Sequence, residues 1–93
     1  MKKIEPNETN ITGHNILVQG NVVGDDASQR IFDLVNGYLI KLGYDQSGWD
    51  TLYQDPNDGR LWELIYPQSE LQAGGPSSLV VISQDAAALK YKI

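Results

Sequence analysis

The chain has 93 residues, 41% of them hydrophobic and 20% charged, with seven basic and twelve acidic side chains giving a net charge of −5. This is the composition of one folded domain, and the absence of cysteine excludes disulfides, thiol chemistry and Cys-based zinc sites. The single histidine, His14, excludes a His-cluster metal site within one chain, and the acidic balance argues against direct nucleic-acid binding, which draws its affinity from cations on phosphates.

Residues 1–13 are polar and contain Pro6 and Gly13, the pattern of a loosely held N-terminal arm on a single domain spanning residues 1–93. Met1-Lys2-Lys3 begins as a signal peptide does, but Ile4-Glu5-Pro6-Asn7-Glu8 stands where an apolar stretch is required. No apolar run approaches the roughly 20 residues that span a bilayer. A cytoplasmic protein without a membrane partner is expected. His14 to Gln19 is β-prone, and Gly20-Asn21 before Val22-Val23 is a two-residue turn, so a first hairpin is expected here.

Asp25 or Asp26 then caps a helix, with Gln29 three residues after Asp26 in the capping-box position. Ile31, Leu34, Val35, Tyr38, Leu39 and Leu42 recur at spacings of three and four and make one apolar stripe. Gly43 is placed to end the helix, whereas Gly37 inside it costs on the order of 1 kcal/mol against alanine.

The segment from Trp49 to Tyr66 is the most informative. Asp55-Pro56-Asn57-Asp58-Gly59 is hairpin-loop chemistry: Asp accepts from turn amides, Pro sets φ, and Gly takes the left-handed position. With Pro56 to Gly59 as a four-residue loop, Asp55 lies opposite Arg60, Tyr53 opposite Trp62, Thr51 opposite Leu64 and Trp49 opposite Tyr66. All four aromatics then share one face, with Leu52, Leu61, Glu63 and Ile65 on the other, and a one-residue slip would split the pairs. That aromatic face is either core against the Ile31–Leu42 stripe or an open platform for a small ligand or peptide.

Pro67 to Ser77, with two prolines and Gly74-Gly75, reads as a long loop; Ser78 to Ile82 reads as a strand; and Ser83 caps a last helix through Ala86 to Leu89. The fold class expected is α+β: a small, mainly antiparallel sheet (hairpin, central hairpin, one further strand) packed against one main helix, with a short C-terminal helix.

Catalytic chemistry has little to stand on. Capping explains Asp25-Asp26, turn geometry explains Asp55 and Asp58, and the spacing around Gly59 departs from a calcium-binding EF-hand loop. Glu63, set among Leu52, Leu61 and Ile65, is the one carboxylate suited to a raised pKa and general-base work; its simpler reading is an ion pair with Arg60 or a lysine, or a solvated face. His14 has no nucleophile motif around Ser47, Ser69 or Ser77, and Gly74-Gly75-Pro76 lacks the Lys-Ser/Thr of a phosphate loop. No catalytic residue, cofactor or metal is expected.

The blocks Gly48-Trp49-Asp50-Thr51-Leu52-Tyr53, Asp55-Pro56-Asn57-Asp58-Gly59-Arg60, Trp62-Glu63-Leu64 and Tyr66-Pro67-Gln68-Ser69-Glu70 resemble the immunity protein 27 family of bacterial polymorphic toxin systems. The resemblance extends through Thr12-Gly13-His14, Val22-Val23, Gln29-Arg30-Ile31 and Gly74-Gly75-Pro76, and so covers nearly the whole chain. Asn15, where an aromatic is common, and a plainer Ala73-to-Ser77 segment depart from the pattern and bear on the first strand's packing and the loop's shape. The resemblance implies a cytoplasmic, non-enzymatic inhibitor; separately, a monomer or weak homodimer is expected. The inhibitor's partner would be a cognate toxin C-terminal domain; if that domain is a nuclease, an acidic patch imitates its phosphate substrate. Asp45, Asp50, Asp55, Asp58, Glu70 and Gln72, with the Pro67–Ser77 loop, are the toxin-contact residues expected on that reading.

Overall fold

The computed structural model describes residues 4–67 and 76–92. In chain order these form β1 (Asn10–Thr12), β2 (Asn15–Val18), β3 (Asn21–Gly24), α1 (Asp26–Gly37), β4 (Ile40–Tyr44), β5 (Thr51–Gln54), β6 (Leu61–Ile65), β7 (Ser78–Ile82) and α2 (Gln84–Tyr91). Five strands make one sheet in the order β1-β7-β6-β5-β4, every neighbouring pair antiparallel, and β2 and β3 form a separate hairpin. The architecture is α+β, with one main helix and one short C-terminal helix.

The β5–β6 register is the one that the turn chemistry demands: Thr51 pairs with Leu64, Leu52 with Glu63, Tyr53 with Trp62 and Gln54 with Leu61. Asp55 Oδ1 accepts from the Asn57 amide at 2.8 Å, the Gly59 amide donates to the Asp55 carbonyl at 2.8 Å, and Gly59 takes φ +80°. A β-carbon is tolerated poorly in that region, which is why glycine closes this turn.

Alternation along these strands sends successive side chains to opposite faces of the sheet. Tyr53, Trp62 and Leu79 meet Ile31 and Leu34 of α1, together with Ile4, Ile11 and Leu39, in the larger core. Leu52 and Leu61 point the other way and pack with Ala87 and Tyr91 of α2, beside Ile82. The central strands are therefore covered on both sides by a different helix.

Four expectations change. First, the main helix ends at Gly37: the Tyr38 and Leu39 amides both donate to the Leu34 carbonyl, and Ile40 to Tyr44 leave as the edge strand β4. The apolar spacing of Tyr38, Leu39 and Leu42 continues a helical period, but Gly37 is the break and Gly43 lies inside the strand, next to a register shift between Lys41 and Gly43. Second, of the two candidate caps Asp25 serves, its carboxylate accepting from the Ser28 amide at 2.9 Å, but the capping box is not made, since Gln29 donates to Asp33. Third, the first hairpin turns at Gln19-Gly20, both at positive φ, one residue earlier than expected.

Fourth, the described part of the N-terminal arm is built into the fold. β1 pairs with β7, and Ile4 and Ile11 are buried. Arg30 forms a two-point ion pair with Glu8 at 2.8 and 2.7 Å, while Arg60 donates to the Glu8 and Glu5 carbonyls at 2.6 and 3.0 Å. Gly13 is held where a β-carbon would strike Ser28 and lie 2.8 Å from the Ser77 carbonyl. Polar composition hid these contacts because the polar groups themselves make them.

Candidate functional site

The face of the sheet that α2 covers is open at one end, and the loop between β4 and β5 stands beside that opening. Asp45 shapes the loop: its Oδ1 accepts from Ser47 Oγ at 2.7 Å and from the Gly48 and Asp50 amides at 3.0 and 3.4 Å. The Ser47 hydroxyl bond and these amides hold the Asp45 carboxyl below its ordinary range, despite some loss of hydration. Gly48, at φ +77°, completes the turn and delivers Trp49 outward, 55% exposed. Its ring and that of Tyr66 make a T-shaped pair, 5.7 Å between centroids and 74° between planes.

The four aromatics are thus split two and two. Tyr53 and Trp62 are core, whereas Trp49 and Tyr66 lie beyond the last β5–β6 pair, where no ladder holds them in alternation. Together with Asp50, Glu63, Ile65 and Lys90 they line an open cleft of about 460 Å³.

Lys90, in the last turn of α2, reaches both acids: its Nζ lies 2.8 Å from Asp50 Oδ2 and 2.8 Å from Glu63 Oε2. Burial alone would lower the Lys90 pKa, but hydrogen bonds to the two carboxylates outweigh it and raise the value, so the ammonium stays charged. Tyr91 donates to the same Glu63 oxygen at 2.9 Å; burial first, then this bond, pushes the phenol far up. Glu63 therefore has the lysine partner of the simpler reading, Lys90 rather than Arg60. The second oxygen of Asp50 and of Glu63 accepts no hydrogen bond from the described residues.

The acids expected to meet a toxin do not form one patch. Asp50 lines the cleft, and Asp45 accepts from the Asp50 amide behind it. Asp58 is at the far end of the β5–β6 hairpin, ion-paired with Arg60 at 2.7 Å. Asp55, also there, is 1% exposed and accepts from Tyr38 Oη at 2.6 Å, so its carboxylate is engaged inside the fold and offers little surface to a partner. Glu70 and Gln72, with most of the Pro67–Ser77 loop, lie outside the described residues. His14 is exposed, with Nδ1 3.5 Å from the capping carboxylate of Asp25. The cleft's cation, Lys90, carries no local signal in sequence, since its partner Glu63 is 27 residues away.

No group of three or more His, Cys, Asp or Glu among the described residues is arranged to hold a metal ion, and no helix there is long and apolar enough to cross a membrane. The fold and the cleft define a small α+β protein with an open recess beside its C-terminal helix. A family model described as Immunity protein 27 matches residues 17–83, a span that includes every residue of the cleft named here except Lys90. The chain belongs to the Immunity protein 27 family. No curated protein and no solved structure matches it.

Proposed function

We propose that the protein neutralises the toxin domain encoded beside it, in the cytoplasm of the producing cell, by covering a surface of that toxin without catalysis. The match over residues 17–83 carries this reading, because the family is one of immunity proteins and brings no catalytic residues with it. The geometry supports it: Glu63, the one carboxylate suited to acid–base work, is held by Lys90 and Tyr91.

A stable interface buries about 800 Å² on each partner, from roughly 20–30 residues. The cleft alone supplies too few, so the contact extends onto neighbouring surface. Edge strand β4 offers exposed Ile40, Leu42 and Tyr44, and it joins through Asp45 to the cleft loop. The net charge of −5 would speed encounter with a basic toxin surface.

The test is calorimetry between the protein and the C-terminal toxin domain encoded immediately upstream, with growth of cells expressing that domain as the second readout. Saturable one-to-one binding and rescue are expected. Two folded partners that fail to associate at micromolar concentration would overturn the pairing.

A further inference from the structure

We infer that the cleft between Trp49, Tyr66, Asp50 and Glu63 receives an arginine side chain of the protein partner, an inference that rests on the immunity reading for the identity of that partner. Sign comes first. The cleft's two carboxylates face one ammonium, and Lys90 is held by both at 2.8 Å. An anion would have to draw Lys90 away from two existing ion pairs. A cation meets an excess negative charge, with Asp45 adding another carboxylate behind the loop.

Shape then selects the cation. One oxygen of Asp50 and one of Glu63 are engaged by Lys90, leaving the other of each without a donor among the described residues. A guanidinium presents several N–H groups in one plane and can address two separated acceptors at once, which a point-like ammonium does less well. Trp49, more than half exposed and fixed edge-to-face on Tyr66, provides an indole face for stacking beside those acceptors. Ile65 and Pro67 give apolar wall for the methylene stem of the incoming side chain. The volume of about 460 Å³ lies within the range of ordinary ligand sites and is large enough for one such side chain.

The experiment titrates the isotope-labelled protein with an acetylated, amidated Gly-Arg-Gly peptide, and separately with its citrulline counterpart, which is nearly isosteric but neutral. Saturable shifts are expected at the Trp49 indole N–H and the Ser47–Asp50 amides with the arginine peptide, and none with citrulline. Trp49→Ala should weaken the arginine peptide by about fivefold, the size of one exposed cation–π contact. Glu63→Gln should weaken it by about tenfold or more, the size of a charge-assisted hydrogen bond. Because Glu63 supports Tyr91, the exposed Trp49 variant keeps the test decisive if Glu63→Gln does not fold.

Absence of saturable shifts, or equal shifts with citrulline, would overturn the inference. The same variants measured against the toxin domain separate the two readings. Toxin that binds the native protein and Trp49→Ala equally overturns the cleft as a docking site while leaving the immunity reading intact. Peptide that binds while the toxin domain does not overturns the toxin as the arginine's source.

Discussion

Removing one hydroxyl, in Tyr38→Phe, decides whether Asp55 is part of the structure or part of the recognition surface. Asp55 is 1% exposed, and its Oδ1 accepts from Tyr38 Oη at 2.6 Å and from the Asn57 amide at 2.8 Å. The phenol's pKa is pushed up to about 12, first by the hydrogen bond to Asp55 and then by loss of hydration. A hydrogen bond to a charged group contributes about 1.5–3 kcal/mol, and Phe leaves the buried oxygen one donor short while the Asn57 amide still serves it. A loss near the lower half of that range, about 2 kcal/mol, is expected, equivalent to a fall in Tm of roughly 8–16 °C for a domain of this size. Urea and thermal unfolding of the native protein, Tyr38→Phe, Asp55→Asn and the double variant would measure it. The double variant should be less destabilised than the sum of the singles, by about 1 kcal/mol or more. Toxin affinity, measured well below each Tm, should not move. A Tyr38→Phe protein within about 0.5 kcal/mol of the native one would refute the structural assignment, and lost toxin binding without lost stability would return Asp55 to the contact surface.

The two tryptophans should report from different surroundings, since Trp62 is fully buried and Trp49 is 55% exposed. Trp49→Phe should leave blue-shifted emission that resists quenchers, and Trp62→Phe, if folded, red-shifted emission that they suppress; the same spectrum from both would contradict the split of the aromatic face. In alkali, Tyr38, Tyr91 and Lys90 all have raised folded pKa values. A group with a raised folded value contributes stability that is intact below its unfolded pKa and is lost as pH rises towards the folded one. Thermal midpoints should therefore hold from neutrality to about pH 10 and fall between 10.0 and about 12, and a midpoint that stays level through that window would count against the hydrogen-bonded phenols.

The central hairpin was legible because its information is local. Asp55, Pro56 and Gly59 fix the turn, and the turn fixes every pair from Gln54–Leu61 to Thr51–Leu64. The boundary between α1 and β4 was not, since Tyr38, Leu39 and Leu42 fit the helical period while Leu39 is in fact buried by the core beyond the helix end. Two glycines competed for the stop, and the choice fell to the core rather than to propensity. β1 offered one buried apolar residue, Ile11, in three, too little for a periodicity, and its strand character comes wholly from β7. At the candidate site, Asp45 and Asp50 could be chosen by charge and loop position. Asp55 could not be told from them, because burial of a carboxylate depends on Tyr38, seventeen residues away.

The cleft follows from a mismatch of lengths. Helix α2 has 8 residues, about 12 Å at helical rise, whereas β6 and β7 have 5 residues each, about 17 Å at strand rise. Ala87 and Tyr91 cover Leu61 and Leu52, and the last turn reaches Glu63; Ile65, two residues further along the same face, borders the cleft instead. Glu63 stands where the covered part of the face meets the open part, which accounts for its two helix-borne partners and its remaining oxygen. Its neighbours in the face, Leu61 on one side and Ile65 on the other, explain why the sequence presents it as a lone acid in an apolar alternation. The pattern that resembles a catalytic carboxylate marks, in this fold, the boundary between core and cleft.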